Sequence, residues 1–261
     1  KIILFIKDKI KDFEKKKTAN SFFLLEEYFN IFHFVMESFY LNSTFKLSVN
    51  NVEDIENVLC NLLKILHHLK IQYRLERSIF YQLYLLLNSQ DDIFLFHKDE
   101  NMLIALNTIE KHKNINWIVY IGIEIFCFKP IFMQSLEKVA KYINKYTTLS
   151  IFLNVFENNA FKTFLKNVNA PKIICEKVFN FIFLITSYCI VYKNISETLM
   201  TKRTFTLLLK LMNNSNNEIK CTGIRIISNL MRGNLSDIKL FNKLLLYFEN
   251  ENGIKIILSL L

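Results

Sequence analysis

The chain has 261 residues, 51% of them hydrophobic and 22% charged, a globular mix and not a disordered one. With 4 Gly and 2 Pro it lacks the turn residues that all-β sandwiches and barrels need. No two of Gly122, Gly223, Gly233 and Gly253 stand at the spacing of a phosphate-cradling loop. The net charge of +9 lies wholly in the second half: residues 1–130 hold 16 basic and 16 acidic side chains, residues 131–261 hold 17 and 8.

In chain order, residues 1–49 are expected to form a pair of N-terminal capping helices, with Lys15-Lys16-Lys17 as a solvated turn between them. The apolar start Ile2–Ile6 is too short for a signal peptide. The first residue is Lys1, so the chain is expected to be part of a longer one. A helix is predicted over Val52–Leu66, where Ile55, Leu59, Leu62, Leu63 and Leu66 fall on one face. Asn50 and Asn51 are expected before it, with Glu53, Asp54 and Glu56 in the first turn, where acidic groups favour a helix N-terminus. Leu75, Ile79, Leu83 and Leu86 mark a second, more degenerate unit.

The spacing of the first helix recurs at Ile118, Gly122, Ile125 and Phe126, then at Ile174, Val178, Phe181, Ile182 and Ile185 behind Pro171. It recurs again at Ile219, Gly223, Ile226, Ile227 and Leu230, behind the polar stretch 213–217. The starts at 55, 118, 174 and 219 lie 63, 56 and 45 residues apart. The last interval approaches the roughly 40–47 residues of armadillo and HEAT repeats. Two of these stretches, Ile115–Phe128 and Val178–Tyr192, are apolar enough to suggest membrane spans, but both are too short and read as helices buried on most sides.

Residues 201–261 carry a family resemblance. Leu207-Leu208-Leu209-Lys210-Leu211-Met212, an Asn-rich turn, and Glu218 to Leu230 with Gly223 and Asn229 resemble the second and third helices of an armadillo repeat. Asn252-Gly253-Ile254 to Leu261 resembles the opening of the next second helix. The resemblance implies an all-α, right-handed superhelix of armadillo/HEAT type over residues 50–261, as one continuous domain. Its chain would stop before a third helix, so further sequence or a partner is expected to cover that end. Gly223 would stand where helices approach closely, so Gly223→Ala is expected to be tolerated or mildly stabilising, and Gly223→Leu to overpack.

In such superhelices the third helices line a concave groove that binds extended peptides. The resemblance then implies a groove row of Thr222, Arg225, Asn229 and Arg232, with Lys177, Asn180, Leu184 and Ser187 one repeat back and Glu124 in the row before that. One position, counted across units, holds Asn61, Glu124, Asn180 and Arg225. These form either a ladder that bonds a bound backbone or simply the solvated side of amphipathic helices. The nuclear-import adaptors place Trp and Asn four residues apart in this helix; here Asn229 matches the Asn and Arg225 stands at the Trp position. A cation-lined groove at Lys177, Arg225 and Arg232 would suit an acidic peptide.

The expected role is therefore a protein-interaction scaffold. The alternative is a basic helical solenoid touching nucleic acid or an anionic membrane through residues 131–261. Of 33 basic residues 28 are Lys, whereas base and phosphate recognition favours the Arg fork. No catalytic motif occurs, and no enzyme activity, cofactor or small-molecule substrate is expected. Cys60, Cys127, Cys175, Cys189 and Cys221 form no C-x-x-C pair and sit in apolar patterns. They point to a reducing compartment, cytosol or nucleus. The five His form no H-x-x-x-H pair and read as satisfied histidines, not zinc ligands.

Overall fold

The computed structural model describes residues 49–69, 73–88, 96, 98–128, 133–145, 148–154, 157–159, 163, 171–199, 201–213, 217–235, 237–250 and 253–258, with positions 8, 9, 11, 12, 15, 23, 24, 26–31 and 34 near the start. Every regular element among these residues is helical, and no strand occurs among them. Apart from helical Lys15, the expected lysine turn lies outside the described residues, as does most of the expected capping pair. The chain divides into two compact units, residues 1–108 and 109–261.

In the first unit α1 (Val49–Leu69) packs along α2 (Tyr73–Asn88). Ile55, Leu59, Leu62, Leu63 and Leu66 meet Leu75, Ile79, Leu83 and Leu86, and all nine are buried. The helical period therefore identified the contact face of both helices. The start of α1 differs from expectation. The helix already runs from Val49, so the acidic residues fall beyond its first turn. Glu56 is buried and accepts a hydrogen bond of 2.6 Å from Asn101 Nδ2, on α3 (Asp99–Lys111). Nearby, Lys64 donates to Glu100 and Asn101 Nδ2 reaches Asn57 Oδ1 at 3.2 Å.

In the second unit the helices are α4 (Asn116–Ile123), α5 (Met133–Ile143), α6 (Thr148–Asn154), α7 (Pro171–Thr186), α8 (Lys193–Leu199), α9 (Lys202–Asn213), α10 (Asn217–Gly233), α11 (Ile238–Asn250) and α12 (Gly253–Leu258). Pro171 opens α7, where its missing N–H and preset φ cost nothing. The end of α4 winds into a π turn over Glu124–Phe128. Pattern alone gives no sign of this turn, because one extra residue per turn leaves the apolar spacing nearly intact.

α7 is the centre of this unit. It touches α5, α6, α8, α10 and the π turn, and α10 in turn packs on α8 and α9. Its Ile174, Val178, Phe181, Ile182 and Ile185 are all buried, and Phe181 meets Phe152 of α6 edge-on at 6.2 Å. The Val178–Tyr192 run is not one helix: α7 ends at Thr186 and a turn follows. Among the described residues no helix is long and apolar enough to cross a membrane.

Two glycines admit neighbouring helices closely. A Cβ on Gly122 of α4 would lie 2.7 Å from Ile109 Cδ1 of α3. A Cβ on Gly223 of α10 would lie 2.3 Å from Met212 Cγ of α9. Gly122 and Gly223 each stand four residues after the first apolar residue of their pattern, Ile118 and Ile219. Each thus receives a side chain from the helix just before it.

Candidate functional site

The site is built on α7 and α10. The contacts between them share one register. The Arg225 guanidinium lies 5.8 Å from the centroid of the Phe183 ring. Asn229 Nδ2 donates to Phe183 O at 3.4 Å and to Thr186 Oγ1 at 3.2 Å. A Cβ on Gly233 would lie 2.8 Å from Cys189 Cβ, just beyond the end of α7. The partner number rises along both helices, so they run parallel. The two Asn229 bonds span 46 and 43 residues, around the 45-residue offset of the repeated pattern.

On α10 the solvent stripe is Cys221, Arg225, Ser228 and Arg232, at i, i+4, i+7 and i+11. On α7 it is Lys177, Asn180 and, past the helix end, Ser187, with Phe183 and Leu184 half-buried beside them. Arg225, Arg232, Lys177 and Asn180 therefore reach water as expected. Cys221 and Ser228 belong to the same stripe and were missed, because the repeat register placed Thr222 and Asn229 there instead.

Thr222 is a correction to the expected row. It is only 7% exposed, because α10 is covered on three sides by α7, α8 and α9 and keeps a narrow wet face. Asn229 is half-buried, and its Nδ2 lies within hydrogen-bond reach of two acceptors in the last turn of α7. It reaches a carbonyl in the last turn of α7, where the helix ladder runs out, so the amide is engaged by α7 as well as facing the seam. Thr186 Oγ1 donates to the same Phe183 carbonyl at 2.8 Å. The cation–π contact leans Arg225 over the seam between the two helices, and at an exposed site it contributes about 0.5–1 kcal/mol.

Glu124 stands at the start of the π turn, half-buried. Burial pushes its carboxyl above its ordinary value, and a hydrogen bond from Tyr120 offsets part of that rise. The folded state then holds a proton that the unfolded state releases, so ionising Glu124 costs stability as pH rises above the ordinary value of 4.5. Glu124→Gln keeps an acceptor for Tyr120 and removes the charge. It is expected to be more stable than the parent in urea at neutral pH, with the difference closing as pH falls below 4.5. A gap that is the same at both pH values would show that desolvation of the carboxylate is not the cause.

Two buried thiols of this unit are poor nucleophiles. Burial pushes Cys127 up, with Glu124 adding to the rise, and pushes Cys189 up to about 12. A thiol is reactive as thiolate, so these two are inert at neutral pH. Among the described residues no group of His, Cys, Asp and Glu is placed to hold a metal ion. No protein-family model matches the chain, and neither a curated protein nor a solved structure matches it.

Proposed function

We propose that this protein is an armadillo-type interaction scaffold whose α7–α10 face binds an acidic, extended segment of a partner protein. The observation that carries the reading is the parallel packing of α7 on α10 at the offset of the repeated pattern. It sets Lys177 and Asn180 beside the Arg225 and Arg232 stripe. The matching glycines support the same repeat reading, since Gly122 and Gly223 each accept the preceding helix at one pattern position. Exposed cations suit carboxylates, and the Arg fork suits them bidentately. Half-buried Phe183 and Leu184 supply apolar contact between the charges.

The test is fluorescence anisotropy with a labelled glutamate-rich peptide. Arg225→Glu with Arg232→Glu is expected to weaken binding about tenfold, the scale for exposed interfacial charges, while the protein stays folded and loses only the small Arg225–Phe183 contribution to its melting temperature. The control, Lys210→Glu with Lys243→Glu, makes the same charge change at exposed positions on α9 and α11. Equal loss in both double variants would mean that only the long-range field of the basic half matters. No loss in either would remove the α7–α10 face as the binding surface.

A further inference from the structure

The turns that follow α7 and α10 form a second surface, which shares only Arg232 with the peptide face. They touch directly: a Cβ on Gly233 would lie 2.8 Å from Cys189 Cβ and 3.4 Å from Ile190 N. Ile190, Val191 and Leu235 stand on them and Ile238 opens α11; they are exposed by 67%, 65%, 65% and 72%. Ile190 and Leu235 are 45 residues apart, the same offset that relates the two helices.

These side chains are displayed on a firm base. Cys189 and Asn234 are buried beneath them. Asn234 Nδ2 donates to Leu230 O at 2.7 Å, and its Oδ1 accepts from Ser196 Oγ at 3.2 Å. The N–H groups of Val191 and Tyr192 both donate to Tyr188 O, at 3.0 and 2.9 Å, and that of Asp237 donates to Asn234 O at 2.9 Å. Hydrogen-bonded turns therefore carry these aliphatics.

Exposed cations flank them along the chain: Lys193, Arg232 and Lys239. The nearby acids are exposed Glu197 and half-buried Asp237, whose carboxylate accepts the Leu240 N–H at 3.1 Å as the cap of α11. Residues that line a groove are shielded by its walls; these protrude. Protruding aliphatics flanked by cations match the interface of an anionic bilayer, where side chains enter among the headgroups and Lys or Arg meets the anions.

We infer that this edge is a membrane-contact surface: Ile190, Val191, Leu235 and Ile238 insert into the headgroup region of an anionic bilayer, with Lys193, Arg232 and Lys239 on the lipid anions. The contact is interfacial and needs no spanning helix.

The test is co-sedimentation of the full chain with vesicles of phosphatidylcholine, with and without phosphatidylserine. Binding is expected only to the serine-containing vesicles and should weaken as salt rises. Ile190→Gln with Val191→Gln, Leu235→Gln and Ile238→Gln leaves the charge unchanged and should lower binding about tenfold or more. Leu246→Gln with Ile254→Gln and Leu258→Gln changes three exposed aliphatics elsewhere and should not. Leu235→Gln alone keeps the test readable should the quadruple variant fail to fold; its loss is smaller but must be measurable. The proposal is overturned if the parent protein sediments with neither vesicle or equally with both, or if the edge variants bind as the parent does. A dimer lost in the quadruple variant, with vesicle binding unchanged, would assign the edge to a second copy and overturn it too.

Discussion

His67→Ala is expected to destabilise the first unit by about 1–3 kcal/mol, the range for leaving a buried hydrogen-bonding group without its partner. His67 belongs to α1, Glu76 to α2, and Asn107 and Thr108 to α3, so one imidazole ties three helices. Asn107 Nδ2 lies 3.2 Å from His67 Nδ1. An amide N–H₂ can only donate, so Nδ1 accepts and Nε2 carries the proton. His67 Nε2 then lies 3.0 Å from Glu76 Oε1 and 3.0 Å from Thr108 Oγ1. The Thr108 hydroxyl in turn donates to Ile104 O at 2.8 Å. Glu76 is 1% exposed, so without the imidazole its carboxylate loses a donor that water cannot easily replace. Equilibrium denaturation measures the loss. His67→Ala combined with Glu76→Leu removes both polar partners and should recover most of it. A loss under about 1 kcal/mol, the scale of an exposed pair, would mean that the cluster does not hold the helices together.

Gly223→Leu should destabilise the second unit by roughly 1–3 kcal/mol through overpacking, and Gly223→Ala should also be unfavourable. The alanine result reverses the expectation from helix propensity, which credits Ala over Gly with about 1 kcal/mol. The added Cβ would stand 2.3 Å from Met212 Cγ and 2.6 Å from its Sδ, in a side chain that is itself fully buried. Carbon pairs settle at about 3.5–4.0 Å, so Met212 must leave its rotamer. In a Met212→Ala background the clash is gone, and Gly223→Ala should then stabilise by up to about 1 kcal/mol. Thermal melts of the four proteins decide it. If Gly223→Ala has the same effect with and without Met212, the two residues do not touch.

Much of the helical architecture was legible in the residue pattern. Ile55, Leu59, Ile79, Ile118, Ile174, Val178, Ile226 and Leu230 were picked out by a 3.6-residue period, and all are buried. The exposure of Arg225, Arg232, Lys177 and Asn180 was legible in the same way, because burying a long charged or amide side chain in an apolar face is costly. The 45-residue offset was also readable, and it is the register in which α7 meets α10.

The tertiary structure decided what period cannot carry. Periodicity gives the direction of a helix's apolar face but not the width of the arc its neighbours cover. α10 meets α7, α8 and α9, so Thr222, beside the wet stripe, is buried and Asn229 is turned onto α7. Partner choice is equally invisible along the chain. Glu56 reads as an acid near a helix start, yet it is buried against Asn101, 45 residues away. His67 reads as one of five scattered histidines, and only the packing of three helices brings Glu76, Asn107 and Thr108 to its ring. The sequence alone determined which residues are apolar, at what period, and where the charge lies. Which polar groups share a buried space, and which glycine leaves no room for a methyl, follow from distances between helices that no local pattern encodes.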